Sequence, residues 1–194
     1  MMKRILPTMV ILAGLSSSAL AHTGAGEAHG LVHGFMHPVG GLDHVLAMVA
    51  VGLFAAVIGG RALWLIPASF VSFMLLGGVL GMTGVPVPFV EAGIALSVIV
   101  LGAAVAARWQ APLAVAMAMA AVFAVFHGHA HGAEMPVAAS GASYALGFLS
   151  ATAMLHAAGV GLGLGLARLI DSRVTRVGGA AIVAAGVGII AGWL

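Results

Sequence analysis

Nine histidines and five acidic residues are spread unevenly along this chain, and two groups of them have spacings that suit a cation. The first is His37-Pro38-Val39-Gly40-Gly41-Leu42-Asp43-His44, with Met48 one turn beyond. On one continuous helix His37 and His44, seven residues apart, share a face, with Pro38 in a first turn where its missing N–H costs little. The second is Phe126-His127-Gly128-His129-Ala130-His131-Gly132-Ala133-Glu134. There His127 and His131 are i,i+4 neighbours, and Glu134 follows three residues on. Gly128 and Gly132 are expected to loosen the helix and let its backbone approach a ligand.

Imidazole combined with carboxylate suits Ni2+, Co2+ and Zn2+; Mg2+ and Ca2+ favour all-oxygen sites, and Cu+ favours sulfur. The expected metal ligands are therefore His37, Asp43, His44, His127, His131 and Glu134. A looser, secondary set is His22, His29, His33, Met48, His129 and His156. His29, His33 and His37 recur every four residues, as a helical capture antenna would, although a disordered polar leader fits equally well. His156 lies deep in an apolar run, where an imidazole serves either as a second station for an ion or as an interhelical packing group. Cysteine is absent, which excludes thiolate ligation and disulfides.

These residues need elements to hold them, and composition says which. Hydrophobic residues make up 62% of the chain and charged residues 6%, with a mean hydropathy of +1.20. A soluble domain carries roughly a quarter of its residues as charges, so water is not the main solvent here. Residues 1–21 read as a secretory signal: Lys3 and Arg4, a short apolar core, then small residues ending at Ala21. Residues 22–36 follow as a histidine-containing periplasmic segment. Residues 37–194 read as a permease domain of six apolar segments, at 39–60, 62–83, 89–107, 111–131, 139–167 and 177–194. The fold class is thus all-α, a polytopic bundle of six transmembrane helices after a signal peptide.

Arginine placement tests that count. With the mature N-terminus outside, Arg61, Arg108, Arg168, Arg173 and Arg176 all fall on the cytoplasmic side, and the opposite loops carry no Lys or Arg. Both termini are then periplasmic and the location is a bacterial inner membrane. The two histidine motifs end up near the same, outer surface, because their segments run in opposite directions. Small-xxx-small pairs at Gly77/Gly81, Gly159/Gly163, Gly161/Gly165 and Gly188/Gly192 are candidates for close helix contacts.

At the two motifs the chain resembles the HupE/UreJ family of nickel/cobalt permeases. The family pattern H-x5-D-H is matched by His37, Asp43 and His44, and F-H-G-x-A-H-G-x-E by Phe126 to Glu134, with His129 at the variable position. The resemblance extends to length, signal peptide and helix count. It implies import of nickel or cobalt for hydrogenase or urease maturation.

The expected function is a secondary permease carrying Ni2+ or Co2+, with Zn2+ also compatible with the donors, from periplasm to cytoplasm. The chain has no P-loop, so no ATPase subunit is implied, and no basic patch, so no nucleic acid is expected. The partners are a divalent metal ion and the lipid bilayer; a homo-oligomer stays open. No prosthetic group and no enzymatic activity are expected. The competing readings are an intramembrane metal-dependent hydrolase, which would use similar ligands around an activated water, and a bis-histidine haem protein.

Overall fold

The computed structural model describes residues 27–169 and 172–194. The signal-peptide reading and His22 lie outside these residues. Among the described residues the protein is all-helical, with seven helices and no strand: α1 (Glu27–Gly40), α2 (Leu42–Ile58), α3 (Ala62–Met82), α4 (Val90–Ala106), α5 (Leu113–Ala133), α6 (Gly141–Leu169) and α7 (Ser172–Ile190). Four of them, α3, α5, α6 and α7, are long and apolar enough to cross a membrane, and α1 with α2 make a fifth if the bent pair is one span. The chain is therefore a multi-pass membrane protein. The 17-residue α4 is apolar but shorter.

The first expected segment is not one helix. α1 and α2 meet at Gly41 with a bend of 82°. Pro38 sits in the last turn of α1, not in a first turn, and Gly41 is extended at φ −97°, ψ 120°. A proline lacking its N–H, followed by two glycines, weakens the ladder where the chain turns. Asp43 then supports the new helix start. Its Oδ1 accepts the His44 backbone N–H at 2.7 Å, and its charge lies at the positive end of α2. His37 and His44 consequently approach each other across a corner, not along one helical face.

Gly128 and Gly132 do not loosen α5, which stays helical through Ala133. They let another helix come close instead. A methyl group at Gly128 would run into the Met74 carbonyl and the Gly78 nitrogen, and one at Gly132 into the Gly78 carbonyl, all backbone of α3. Gly77 and Gly81 make the reciprocal contact on α5, which fixes the rotation of α5 and so the direction of its histidines. Gly159 and Gly163 likewise admit α2 against α6, whereas Gly161 and Gly165 meet nothing and Gly188 meets only Leu194. α4 packs along α7 through Gly102 and Gly179. Fully buried Met48, Phe54, Ile66, Phe70, Met74, Leu101 and Phe148 fill the space between the helices.

α7 begins at Ser172, five residues before the expected 177, so Arg173 and Arg176 lie in its first turns. Arginine can lie along an apolar helix by its stem while its head reaches the polar zone. A small cavity joins Ala56 and Val57 at the end of α2 to Arg108, Gly163 and Thr175, which collects the arginine-bearing ends at one end of the bundle. The two histidine motifs occupy the other end.

Candidate metal centre

α2 brings its motif in at its N-terminus and α5 brings its own at its C-terminus, so the two meet. The His44 ring lies 4.7 Å from those of both His127 and His131, at 86° and 60°, and the His37 ring lies 4.9 Å from that of His131. His127 and His131 are each 0% exposed. Four imidazoles thus form one contiguous group, edge against face.

Two of them have a defined tautomer. The His44 Nδ1 lies 2.8 Å from the Asp43 carboxylate, which only accepts, so Nδ1 carries the proton and Nε2 the lone pair. The Ser97 hydroxyl, on α4, lies 2.6 Å from the Ile94 carbonyl and must donate to it. Its oxygen therefore accepts from the His127 Nε2–H, 2.8 Å away, leaving the lone pair on Nδ1. These are the outer hydrogen bonds that orient metal-binding imidazoles elsewhere in proteins. The freed atoms, His44 Nε2 and His127 Nδ1, are buried without a hydrogen-bond partner, as are both ring nitrogens of His131. An unpartnered buried polar atom costs about 1–3 kcal/mol, and four in one cluster is a concentration that packing alone does not explain.

His37 and Glu134 are engaged with each other, Nε2 to Oε2 at 2.9 Å, which ties α1 to the end of α5. Both line an open cleft of about 500 Å3 with His33, Met36, Asp43, His44 and Glu91, so three carboxylates and three imidazoles border one space. Among the described residues no three His, Asp or Glu side chains stand around a single point as they are arranged. Joint ligation by the six residues expected from sequence therefore requires the His37–Glu134 pair to open and the rings to turn.

The secondary set divides. His33 borders the cleft, and His29 lies one turn before it on α1. His129 points away from the cluster: its Nε2 donates to the Val85 carbonyl at 2.9 Å, holding the loop between α3 and α4. Met48 belongs to the apolar core. His156 is 1% exposed with neither nitrogen partnered, and its ring lies 5.1 Å from that of Phe70. Sequence reasoning missed Ser97, although a hydroxyl within the apolar run of α4 was a signal of the kind that singles out intramembrane polar groups. It also missed Phe148, which stacks on His131 at 5.2 Å, and Tyr144, buried with its hydroxyl unpartnered.

The sequence model described as "HupE / UreJ protein" matches residues 10–189, a span that contains every residue of the cluster. The chain belongs to the HupE/UreJ family. A curated relative, Protein HupE of Rhizobium leguminosarum bv. viciae, is 44% identical over 189 residues, covering 97% of this chain and 98% of its own. No solved structure matches. The HupE/UreJ assignment thus extends over nearly the whole helical region, α1 to α7, and not over the motifs alone.

Proposed function

We propose that this HupE/UreJ protein is a secondary permease that takes Ni2+ or Co2+ from the periplasm into the cytoplasm for metalloenzyme maturation. The observation that carries the reading is the set of buried, unpartnered imidazole nitrogens on His44, His127 and His131, two of them fixed as lone pairs by Asp43 and Ser97. Such atoms are suited to accept a cation and are poorly served by anything else nearby. The cation is cargo, and no prosthetic group or catalytic residue is invoked. The bent α1–α2 pair counts as one span and α4 as a short one, which gives six crossings, both termini outside and the arginine-rich end inside, in agreement with the positive-inside rule. His37, Asp43, His44 and Glu134 then face the periplasm and receive the ion from the cleft; His127 and His131 take it from there.

Metal binding requires neutral imidazoles, and protons compete for the same lone pairs. Uptake into reconstituted vesicles is expected to fall on acidification, once protons displace the ion from the imidazole lone pairs, and to recover on return to neutral pH. Unlabelled Ni2+, Co2+ and Zn2+ compete with labelled Ni2+, and excess Mg2+ does not. Uptake that is insensitive to pH, or inhibited as well by Mg2+, would contradict a histidine-based path.

Two substitutions separate cluster from periphery. Ser97→Ala frees the His127 ring to turn and exchange tautomers, and weakens apparent metal affinity about 10–100-fold while leaving the fold intact. His129→Gln leaves uptake within about twofold of wild type, since His129 holds Val85 and not the ion. Both are read from concentration-dependent uptake of labelled Ni2+.

A further inference from the structure

Beneath the histidine cluster the helices α3 and α6 run antiparallel in a definite register. The Phe70 ring on α3 lies 5.1 Å from the His156 ring on α6, and one turn on, the Met74 sulfur lies 3.4 Å from the Thr152 hydroxyl. Phe70 and Met74 are i,i+4 on their helix, and Thr152 and His156 are i,i+4 on theirs, so all four side chains share one interface. His156, Thr152, Met74 and Phe70 are at most 1% exposed, and both nitrogens of His156 lack a partner. Phe70 also touches His127, with ring centroids 5.7 Å apart, so a single aromatic ring separates the cluster from His156. His156 lies eight residues beyond Phe148, the ring that supports His131, or about 12 Å further along α6.

We infer that His156 and Met74, with Thr152 beside them, form a second, inner station for the transported cation, an imidazole–thioether site reached from His127 past the ring of Phe70. This rests on the permease reading and adds a selectivity step to it. Neither α3 nor α6 contains an Asp or Glu. Hard cations such as Mg2+ and Ca2+, which the carboxylates bordering the cleft attract, find no carboxylate there, whereas borderline ions such as Ni2+ and Co2+ accept both nitrogen and sulfur. A station without an anion also holds a divalent ion weakly, which favours onward passage over trapping.

The test uses the purified full-length protein loaded with Ni2+ in chloride-free buffer, X-ray absorption at the nickel edge, and uptake by proteoliposomes. Because the chain has no cysteine, a sulfur scatterer bound to nickel identifies a methionine. Wild type is expected to show that scatterer on a fraction of the bound nickel; Met74→Leu loses it, and its uptake falls about tenfold. His156→Gln loses uptake by about 100-fold while still binding nickel at the outer cluster. Sulfur scattering unchanged in Met74→Leu, or wild-type uptake by His156→Gln, would overturn the inner station and leave the outer cluster standing. Failure of the wild-type protein to bind or take up nickel would instead remove the permease reading on which the station depends.

Discussion

Replacing His131 by leucine should abolish nickel uptake and leave the protein as stable as wild type or more so. The two halves of that result come from the same atoms. Both ring nitrogens of His131 are buried and unpartnered, and the ring stacks on Phe148. An apolar side chain of similar size removes the cost of those unpartnered groups, about 1–3 kcal/mol for each, and keeps much of the contact with Phe148. A histidine retained for packing or interhelical hydrogen bonding would behave in the opposite way, losing stability on replacement and keeping function. Thermal unfolding in detergent and labelled-Ni2+ uptake, measured on the same preparation, separate the two. A site that accepts ions is kept at the expense of the fold's own stability, which is a recurrent pattern at functional positions.

Adding one methyl group at Gly128 should be as damaging as removing a ligand, by a different route. In Gly128→Ala the new Cβ would meet the carbonyl of Met74 and the nitrogen of Gly78, which are backbone atoms and cannot turn aside. The α3–α5 pair would have to separate along its length, at a cost at or above the upper end of the usual 1–3 kcal/mol for overpacking. Because α5 carries His127 and His131, any survivor of this substitution has a displaced cluster. Little folded protein is expected in size-exclusion chromatography, and no uptake. Gly161→Ala is the matched control. Its Cβ would meet nothing within 4 Å, and stability should stay within about 0.5 kcal/mol of wild type. Equal tolerance at the two positions would contradict the close approach of α3 and α5.

These effects also show where sequence was informative. The helical membrane class follows from composition, and the run from 139 to 167 was legible as one long helix because nothing interrupts it; the structure has Gly141–Leu169 there. The bend at Gly41 was not legible. Heptad spacing between His37 and His44 assumes an unbroken helix, and whether Pro38 begins one or precedes a corner is decided by packing of α1 against α6, where Gly34 and Gly147 let the backbones touch. The glycines of the second motif carried real information that was assigned to the wrong partner: they admit α3, not a ligand. Ser97 could be noticed as a polar residue in an apolar run, but its pairing with His127 depends on the rotation of α4 against α5. His129 shows the limit of a motif, since alternation along F-H-G-x-A-H-G-x-E places it on the other side of α5 from its neighbours, next to Val85. His156 is legible as deep, and its adjacency to the cluster through Phe70 is not.

The central claim is that the cluster passes a divalent cation down an electrochemical gradient without hydrolysis of any fuel. An inside-negative potential of 100 mV favours the inward movement of a divalent ion by about 4–5 kcal/mol, an accumulation on the order of a thousandfold at equilibrium. Proteoliposomes holding the purified protein, with a potassium diffusion potential imposed by valinomycin, should accumulate labelled Ni2+ when the interior is negative and release it when the potential is collapsed. Accumulation no greater than in protein-free vesicles, at either potential, would contradict the account.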